Sequence, residues 1–271
     1  MSFFSGKRVF VTGGSSGIGK ATAERMALAG ANVVIGARGQ ERLERAVSDL
    51  RAVSRGDVMD SVAIDVGDRE SVGRATTTVI ERLGGLDILV NNAGVAQPGY
   101  IQDMPDDVFE SMMRINYFGT VNTTRAFIPH MIAQRSGHVC NISSLVGYLG
   151  IFGYTAYAAS KFAVSGFTDC LRQELLPHGV GVSIVFPPDT DTPQLHEENK
   201  TKPAETKAIA GTVKVLQPED VARAIAEGIA AGRYHIVPGL GNKFSYFMYR
   251  HFPWAVRYVI DNDLKKAQSR R

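Results

Sequence analysis

The sequence is poor in cysteine and tryptophan and has no long apolar run. Its 271 residues include two cysteines, Cys140 and Cys170, and one tryptophan. With so few cysteines no disulfide framework is expected, and a reducing, cytoplasmic compartment fits the chain. No apolar run reaches the roughly 18 residues that a membrane-spanning helix needs, and the N-terminal stretch lacks the pattern of a signal peptide.

An excess of charge of one sign is also missing. The 30 basic and 27 acidic residues give a formal net charge of +3. The basic residues are dispersed except in the tail KKAQSRR, so we expect no nucleic-acid partner. No metal site is predicted. The length and the 44% of hydrophobic residues are sufficient for one large domain with a sizeable core.

Short apolar runs rich in β-branched residues alternate with segments of helical periodicity. Such runs are typical of strands that are covered on both faces. The predicted strands are RVFVTGG, NVVIGAR, DSVAIDV, LDILVNNAG, GHVCNISS and VGVSIVFPP. The predicted helices are Lys20–Ala29, Gln40–Val53, Ser71–Leu83, Asp106–Ile132 and Ala156–Leu175. The alternation predicts an α/β fold, a single doubly wound, Rossmann-type parallel sheet with helices on both faces, over residues 1–240.

A glycine cluster, TGGSSGIG, lies between the first predicted strand and the first helix. Its glycines permit a tight turn and bring backbone N–H groups and the helix N-terminus up to a pyrophosphate. The spacing, Gly-x-x-x-Gly-x-Gly, differs from the G-x-G-x-x-G fingerprint. We predict a dinucleotide-binding loop formed by Gly13, Ser15, Ser16, Gly17, Ile18 and Gly19.

The end of the second predicted strand bears on the choice of nicotinamide cofactor. An acidic side chain there would accept hydrogen bonds from the ribose 2′-OH of NAD. The strand instead ends at Arg38, and the next carboxylate is Glu41. A guanidinium can bind a 2′-phosphate, so NADP(H) is favoured, the alternative being a solvated arginine. Asp65 and Val66 follow the third strand; Asp65 could hold the adenine edge or cap the next helix.

Several polar residues at strand ends and in helices are candidates for chemistry. NNAG ends the fourth strand, and its Asn92, Ala93 and Gly94 would let a cofactor approach closely or simply form a turn. Asn116 is an amide within an apolar helical period. In YTAYAASK, Tyr157 and Lys161 are four residues apart, so a helix would bring them to one face. Each pattern alone is also compatible with ordinary packing.

Taken together, these motifs resemble the short-chain dehydrogenase/reductase family over essentially the whole chain. TGGSSGIG, NNAG and the Ser-x12-Tyr-x3-Lys set occur in the family's order, followed by the proline after strand six. The resemblance implies a catalytic tetrad of Asn116, Ser144, Tyr157 and Lys161. It also implies nicotinamide contacts from Tyr157, Lys161, Pro187, Thr190 and Thr192. Tyr154 has no role in the family pattern and is interpreted as packing.

The implied roles follow acid–base chemistry. A free phenol has a pKa of about 10, and a nearby ammonium, Lys161, is expected to lower that pKa and to bind the nicotinamide ribose. Ser144 is expected to hold the substrate oxygen beside Tyr157. By the resemblance, Asn116 holds a water that links Lys161 to solvent. A non-catalytic NADP(H)-binding sensor is the alternative of another class, but it would be expected to lack the tyrosine or the lysine.

Residues 189–215 bear on the class of substrate. This stretch is polar and interrupted by prolines, and it is predicted to be an irregular substrate lid. PPDTDTP followed by EENKTKPAET is similar to the 3-ketodihydrosphingosine reductases of sphingolipid metabolism. This similarity implies an NADPH-dependent reduction of a long-chain 3-keto lipid. Another ketone or alcohol, such as a 3-oxoacyl thioester, a steroid or a small alcohol, remains the alternative.

The C-terminal segment, residues 241–271, is rich in aromatic residues interrupted by cations. Within it, residues 241–260 suit a segment lying on an anionic membrane surface. The alternative is an aromatic flap that packs on the domain or on a second subunit. The family resemblance further implies a homodimer or homotetramer formed through the helices Asp106–Ile132 and Ala156–Leu175.

Overall fold

The computed structural model describes residues 2–210 and 214–269; residue 1, residues 211–213 and residues 270–271 lie outside the described part. The strands are β1 (Arg8–Thr12), β2 (Asn32–Ala37), β3 (Met59–Ala63), β4 (Ile88–Asn91), β5 (Gly137–Ile142), β6 (Val180–Val185) and β7 (His235–Ile236). The helices are α1 (Gly17–Leu28), α2 (Gln40–Val53), α3 (Arg69–Leu83), α4 (Asp106–Met112), α5 (Gly119–Gln134), α6 (Thr155–Leu175), α7 (Pro193–Thr201), α8 (Ala204–Ala210), α9 (Pro218–Ala230), α10 (Leu240–His251) and α11 (Pro253–Gln268).

The strands form one parallel sheet in the order β3-β2-β1-β4-β5-β6-β7. The chain winds outward from β1 in one direction and, from β4, in the other. The crevice between β1 and β4 is therefore the point where ligands bind in open α/β sheets. The prediction of a doubly wound sheet is confirmed, and each of the six predicted strands is present. β7 was not predicted, because a strand of two residues is too short to show a hydrophobic pattern.

Both faces of the sheet are covered, since successive strand residues point to opposite faces. Val9 and Val11 of β1 pack in a core shared with α1, α2 and α9. Phe10, between them, packs in a second core shared with α3, α5 and α6. These two cores explain why the strands read as continuous apolar runs instead of alternating ones.

The single helix predicted over Asp106–Ile132 is not uniform. α4 and α5 are joined by a π-helical segment, Met113–Phe118. A π-helical turn accommodates an extra residue in a helix and is frequent at functional sites. Here the segment contains the fully buried Asn116. The sequence pattern gave no indication of it because helical periodicity continues on both sides.

The expectation that residues 189–215 are irregular was wrong where the structure describes them, while their role as a substrate lid stays a prediction. α7 and α8 occupy most of that stretch, and residues 211–213 lie outside the described residues. Thr192 caps α7 by accepting a hydrogen bond from the Leu195 N–H at 3.2 Å, and Pro193 occupies the first helical turn. A threonine before a proline is a helix-start signal, so the local sequence did carry this information.

The C-terminal segment forms α10 and α11, which pack on the domain with one face. Tyr246, Tyr249, Val256 and Ile260 contact a buried cluster that includes Phe186. The opposite face carries exposed aromatic side chains, among them Phe244, Phe247, Trp254 and Tyr258. None of the described helices is long and apolar enough to cross a bilayer.

Candidate active site

Two adjoining cavities open at the carboxyl ends of the central strands. The smaller has a volume of about 240 Å³ and the larger one of about 430 Å³. Asn92, Gly94 and Val95 on the loop after β4 line both cavities, as do Ile18 and Thr192. A ligand that fills the smaller cavity can therefore reach the larger one past this loop.

The smaller cavity is shaped by the glycine cluster. Gly13 and Gly17 have φ angles of +65° and +53°, a conformation that side-chain-bearing residues rarely adopt. A Cβ on Gly13 would lie 2.9 Å from the Ala93 Cα atom. The missing side chains leave room for a pyrophosphate beside the start of α1, so the loop fits a dinucleotide. The predicted cofactor residues that line this cavity are Gly13, Ser15, Ser16, Gly17, Ile18, Arg38, Asp65, Val66, Asn92, Ala93, Gly94 and Thr192.

Of the residues predicted to form the dinucleotide-binding loop, Gly19 is the one that lines neither cavity. A Cβ there would lie 2.3 Å from Asn92 Nδ2 and 2.4 Å from the Gly13 carbonyl oxygen. Asn92 Nδ2 in turn donates to the Thr12 and Gly13 carbonyl groups at 3.1 and 3.2 Å. Gly19 thus permits α1 to lie close to the loop after β4, and its contribution to the cavity is indirect.

Two arginines, Arg38 and Arg42, line the end of the smaller cavity. Neither has an ion-pair partner among the described residues, whereas Glu41 pairs with Arg45. Sequence reasoning found Arg38 but missed Arg42, which α2 brings back to the same wall. Two unpaired guanidinium groups at one wall could bind a phosphate.

Asp65 lies at the same cavity but does not cap α3. That cap is Asp68, which accepts a hydrogen bond from the Glu70 N–H at 3.0 Å. Asp65 instead accepts one from the Gly67 N–H at 2.9 Å, and this bond shapes the turn after β3. The capping alternative for Asp65 is therefore wrong, and its carboxylate remains at the cavity.

The larger cavity contains the predicted serine, tyrosine and lysine on its wall. Ser144 lies in the turn after β5, and α6 carries both Tyr157 and Lys161. The Lys161 side chain is 4% exposed, and its Nζ donates to the Ile142 carbonyl oxygen at 2.9 Å. The same Nζ lies 5.7 Å from the centre of the Tyr157 ring. Burial lowers the pKa of Lys161 to about 8, because the ammonium form loses its hydration. Pro187 and Thr190, two of the predicted nicotinamide contacts, line this cavity as well.

Tyr157 departs from the expected electrostatics. Its pKa is raised above the ordinary value for a phenol, chiefly by burial and then by the negative charge of Glu198, whereas a hydrogen bond with Ser144 lowers it. The prediction that Lys161 depresses this pKa is therefore not met here. The physical reason is that burial outweighs the effect of the ammonium group, which donates to the Ile142 carbonyl oxygen and lies 5.7 Å from the centre of the Tyr157 ring. The phenol is held protonated.

Asn116 lies behind the cavities and contacts the loop that lines them. Its Oδ1 accepts from the Val95 N–H at 2.8 Å, and its Nδ2 donates to the Val95 carbonyl oxygen and to Ser160 Oγ, both at 2.9 Å. The helix carrying Asn116 is thereby connected both to the loop after β4 and to α6. This amide is a positioning group in the geometry described.

The two adjacent serines that follow β5, Ser143 and Ser144, make different hydrogen bonds. Both line the larger cavity, but Ser143 Oγ is buried and donates to the Lys161 carbonyl oxygen at 3.0 Å, whereas Ser144 Oγ accepts from the Val146 N–H at 3.3 Å. Below them, Asn91 Nδ2 donates to Asn141 Oδ1 at 2.9 Å and joins β4 to β5. The side-chain amides of Asn91 and Asn141 are therefore satisfied within the protein.

Sequence reasoning missed a polar pair in the lining of the larger cavity. Tyr154, interpreted as packing, donates a hydrogen bond from its hydroxyl group to Glu198 Oε2 at 2.8 Å. Both residues line the larger cavity, and Glu198 is only 8% exposed. Charged and polar neighbours in EENK are typical of the solvent-exposed face of a helix, so nothing in the sequence indicated that Glu198 is buried.

The remaining wall of the larger cavity is mostly apolar. α10 and α11 contribute to it, which sequence reasoning did not foresee. Its aliphatic, aromatic and thioether side chains are Leu145, Val146, Leu149, Ile151, Leu195, Ile209, Phe244, Met248, Val256, Val259 and Ile260. The arrangement suits a ligand with one polar end at Tyr157 and an extended apolar part.

Comparisons with known proteins agree with this geometry. The sequence profile of the family described as short chain dehydrogenase matches residues 7–203. The mouse protein named 3-ketodihydrosphingosine reductase is 41% identical over 233 residues, which cover 85% of this chain and 70% of that protein. A protein of the same name from Dictyostelium discoideum is 36% identical, covering 85% and 74%. A putative oxidoreductase of Mycobacterium tuberculosis, SadH, is 34% identical and covers 90% of each chain.

Solved structures share the same fold. A variant of actinorhodin polyketide ketoreductase with NADPH superimposes with a TM-score of 0.78 at 29% identity, covering 89% of this chain and all of the other. A short-chain dehydrogenase/reductase from Burkholderia phymatum, in complex with NAD, gives a TM-score of 0.78 at 28% identity, covering 88% and 90%. The chain belongs to the short-chain dehydrogenase/reductase family of oxidoreductases, and its sequence resembles the 3-ketodihydrosphingosine reductases.

Proposed function

We propose that the protein is an NADPH-dependent reductase of a long-chain 3-keto lipid, 3-ketodihydrosphingosine being the substrate. The observation that carries the proposal is the larger cavity, in which Ser144, Tyr157 and Lys161 share one wall with a long apolar lining. Relatives that bear the name of this reductase, at 41% and 36% identity, support the same substrate.

The chemistry follows from the side chains. Reduction adds a hydride to the carbonyl carbon and a proton to its oxygen, giving a secondary alcohol. NADPH held by the residues of the smaller cavity would supply the hydride. Tyr157, held protonated by burial, donates the proton to the carbonyl oxygen. Ser144 Oγ holds that oxygen beside the phenol and stabilises the negative charge that develops on it. Lys161 compensates the charge of the phenolate that remains.

The preference for NADPH would come from Arg38 and Arg42. Both line the smaller cavity without a carboxylate partner among the described residues, and a 2′-phosphate dianion would pair with them. The double variant Arg38→Ser, Arg42→Ser is expected to lower kcat/KM for NADPH about 100-fold and to leave kcat/KM for NADH within a factor of three. Equal losses with both cofactors would contradict this assignment.

The activity is tested by following NADPH oxidation at 340 nm with 3-ketodihydrosphingosine in mixed micelles. Tyr157→Phe is the matched variant, since it removes one hydroxyl group and is expected to reduce kcat by 10²-fold or more. Reduction of a 3-oxoacyl thioester or a steroid in place of the sphingoid ketone would assign the protein to another substrate class. A chain that turns over none of these ketones but binds NADPH would be a sensor.

We also propose that the exposed face of α10 and α11 contacts a membrane surface. Phe244 and Val259 are exposed and line the cavity, so the cavity opens beside the exposed aromatic face. Arg250 and Arg257 are exposed on the same two helices and would favour anionic headgroups.

Flotation with vesicles that contain anionic lipid tests this contact. The full chain is expected to float at low salt, and the variant Trp254→Ser to float less. Leu28→Ser, an exposed apolar residue on α1, is the control and should leave flotation unchanged. Full-length protein that stays at the bottom of the gradient at low salt would overturn the proposal.

We also propose that the protein forms a homodimer or homotetramer through the segments Asp106–Ile132 and Ala156–Leu175. Phe118, at the end of the π-helical segment, and Phe162, on α6, are exposed large side chains within the two predicted interface helices. Light scattering on the purified protein measures the mass directly. A Phe162→Glu variant is expected to shift the mass toward the monomer, and a monomeric wild-type protein would contradict the expectation.

A further inference from the structure

Glu198 combines features that are unusual for a glutamate on a cavity wall. It is 8% exposed, on α7, and lines the same cavity as Tyr157. Its Oε2 accepts from the Tyr154 hydroxyl group at 2.8 Å, and its Oε1 accepts from Gln194 Nε2 at 3.0 Å. A carboxylate offers about four acceptor positions, so each oxygen can accept one more hydrogen bond.

The charged groups around the cavity leave Glu198 without an ion pair. The charged residues in the lining are Lys161, Asp189, Glu198 and Asp263. Lys202 Nζ lies 3.2 Å from Asp189 Oδ2, and Lys266 Nζ lies 3.6 Å from Asp263 Oδ1. Lys161 is directed to the Ile142 carbonyl oxygen. Within residues 2–210 and 214–269, no cation lies at ion-pair distance from Glu198.

Glu198 is also close to the proton donor. The rings of Tyr154 and Tyr157 are 5.7 Å apart, centre to centre, and Tyr154 contacts the carboxylate directly. Burial raises the pKa of Glu198, while its hydrogen bonds from Gln194 and Tyr154 and the charge of Lys202 lower it. A buried carboxylate with free acceptor positions is stabilised by a cation that enters the cavity.

We propose that Glu198, oriented by Tyr154, binds an ammonium group on the carbon next to the ketone that is reduced. The site would then be selective for α-amino ketones over uncharged ketones of equal length. This inference rests on the proposed function, because 3-ketodihydrosphingosine carries its amino group on that carbon. It also provides a physical reason for rejecting 3-oxoacyl thioesters and steroids, which have no cation to offer the carboxylate.

The test compares two long-chain 3-ketones of equal length, one with and one without the 2-amino group. In the wild-type protein kcat/KM is expected to be 30- to 100-fold higher for the amino ketone. Glu198→Gln keeps the shape and removes the charge, so it should lower kcat/KM for the amino ketone by the same factor. It should change kcat/KM for the des-amino ketone by less than threefold.

Two further variants separate charge from structure. Glu197→Gln changes an exposed neighbour that pairs with Lys200 and should leave both substrates unaffected. Tyr154→Phe removes the hydroxyl donor but retains the carboxylate, and a loss of three- to tenfold confined to the amino ketone is expected. Calorimetric binding of the saturated long-chain amino alcohol should weaken at least tenfold in Glu198→Gln, whereas binding of the des-amino alcohol should not.

The outcomes distinguish this inference from the function on which it rests. Equal reduction of both ketones by the wild type, with Glu198→Gln unchanged toward the amino ketone, would overturn the role of Glu198 and leave the reductase intact. Loss of activity toward both ketones in Glu198→Gln would assign it a structural role and also overturn the proposal. Failure of the wild type to reduce either ketone would overturn the proposed function itself.

Discussion

Asn116 pairs with the backbone of Val95 as a neighbouring strand would. Its amide oxygen accepts from the Val95 N–H at 2.8 Å and its amide nitrogen donates to the Val95 carbonyl oxygen at 2.9 Å. Val95 lines both cavities, so this pair connects the π-helical segment to the walls of the site. The position of the loop after β4 therefore depends on a side chain 21 residues away in sequence.

Replacing this amide should cost stability as well as activity. Asn116→Leu keeps the volume but leaves the Val95 N–H and carbonyl groups without their buried partner. The free energy of unfolding is expected to fall by about 3 kcal/mol, as measured by urea denaturation. Asn199→Leu, at an exposed position of α7, is the control and should stay within about 0.5 kcal/mol of the wild type. A loss in Asn116→Leu no larger than in the control would contradict the role of the pair.

Ketone reduction should decline as the pH rises through about 8. Burial lowers the pKa of Lys161 to about 8, so the ammonium group loses its proton above that pH. Without this charge the phenolate left on Tyr157 is no longer compensated. A profile of log kcat against pH should be level below pH 8 and fall above it, while Tyr157 stays protonated. A level profile up to pH 10 would show that the ammonium charge is not required.

Acid should destabilise the protein through His138. The His138 ring is buried, and its Nε2 lies 2.8 Å from Ser183 Oγ. Burial lowers the pKa of His138 to about 4 from the ordinary 6.5. Between these values the unfolded chain binds a proton that the folded chain does not, so stability falls as the pH falls from 6.5 to 4. The full contribution is roughly 3 kcal/mol.

Urea denaturation at pH 7 and at pH 4.5 measures this contribution. His138→Gln should show a smaller difference in unfolding free energy between the two pH values than the wild type. His130→Gln, an exposed histidine on α5, should behave as the wild type does. Identical pH dependence in all three proteins would exclude His138 as the group responsible.

Two glycine-to-alanine substitutions in helices should differ in their effects: one should weaken cofactor binding, and the other should raise the stability of the fold. In Gly19→Ala the new Cβ would lie 2.3 Å from Asn92 Nδ2, so α1 must shift and cofactor binding should weaken at least tenfold. In Gly73→Ala on α3 nothing lies within 4 Å, and the higher helix propensity of alanine should stabilise the protein by up to about 1 kcal/mol. Fluorescence titration with NADPH and thermal unfolding check the two expectations. Unchanged NADPH affinity in Gly19→Ala would contradict the first.

Local sequence patterns determined most of the fold. The strand runs are continuous because both faces of the sheet are covered, and the glycine cluster is recognisable because its turn and close contacts exclude side chains. The spacing of Tyr157 and Lys161 likewise follows from helix geometry alone. The start of α7 could also have been predicted, since Thr192 and Pro193 form an ordinary helix start.

Only the tertiary structure decided which polar residues are buried and what they face. A glutamate in EENK looks the same in sequence whether it is solvated or, like Glu198, lies on a cavity wall beside Tyr154. Arg42 comes to the smaller cavity because of how α2 packs, and α10 and α11 reach the larger cavity from the far end of the chain. The pKa of Tyr157 depends on burial and on the charge of Glu198, both of which are set by contacts distant in sequence. Charge, burial and distance act through space, so the spacing of residues along the chain could not determine them.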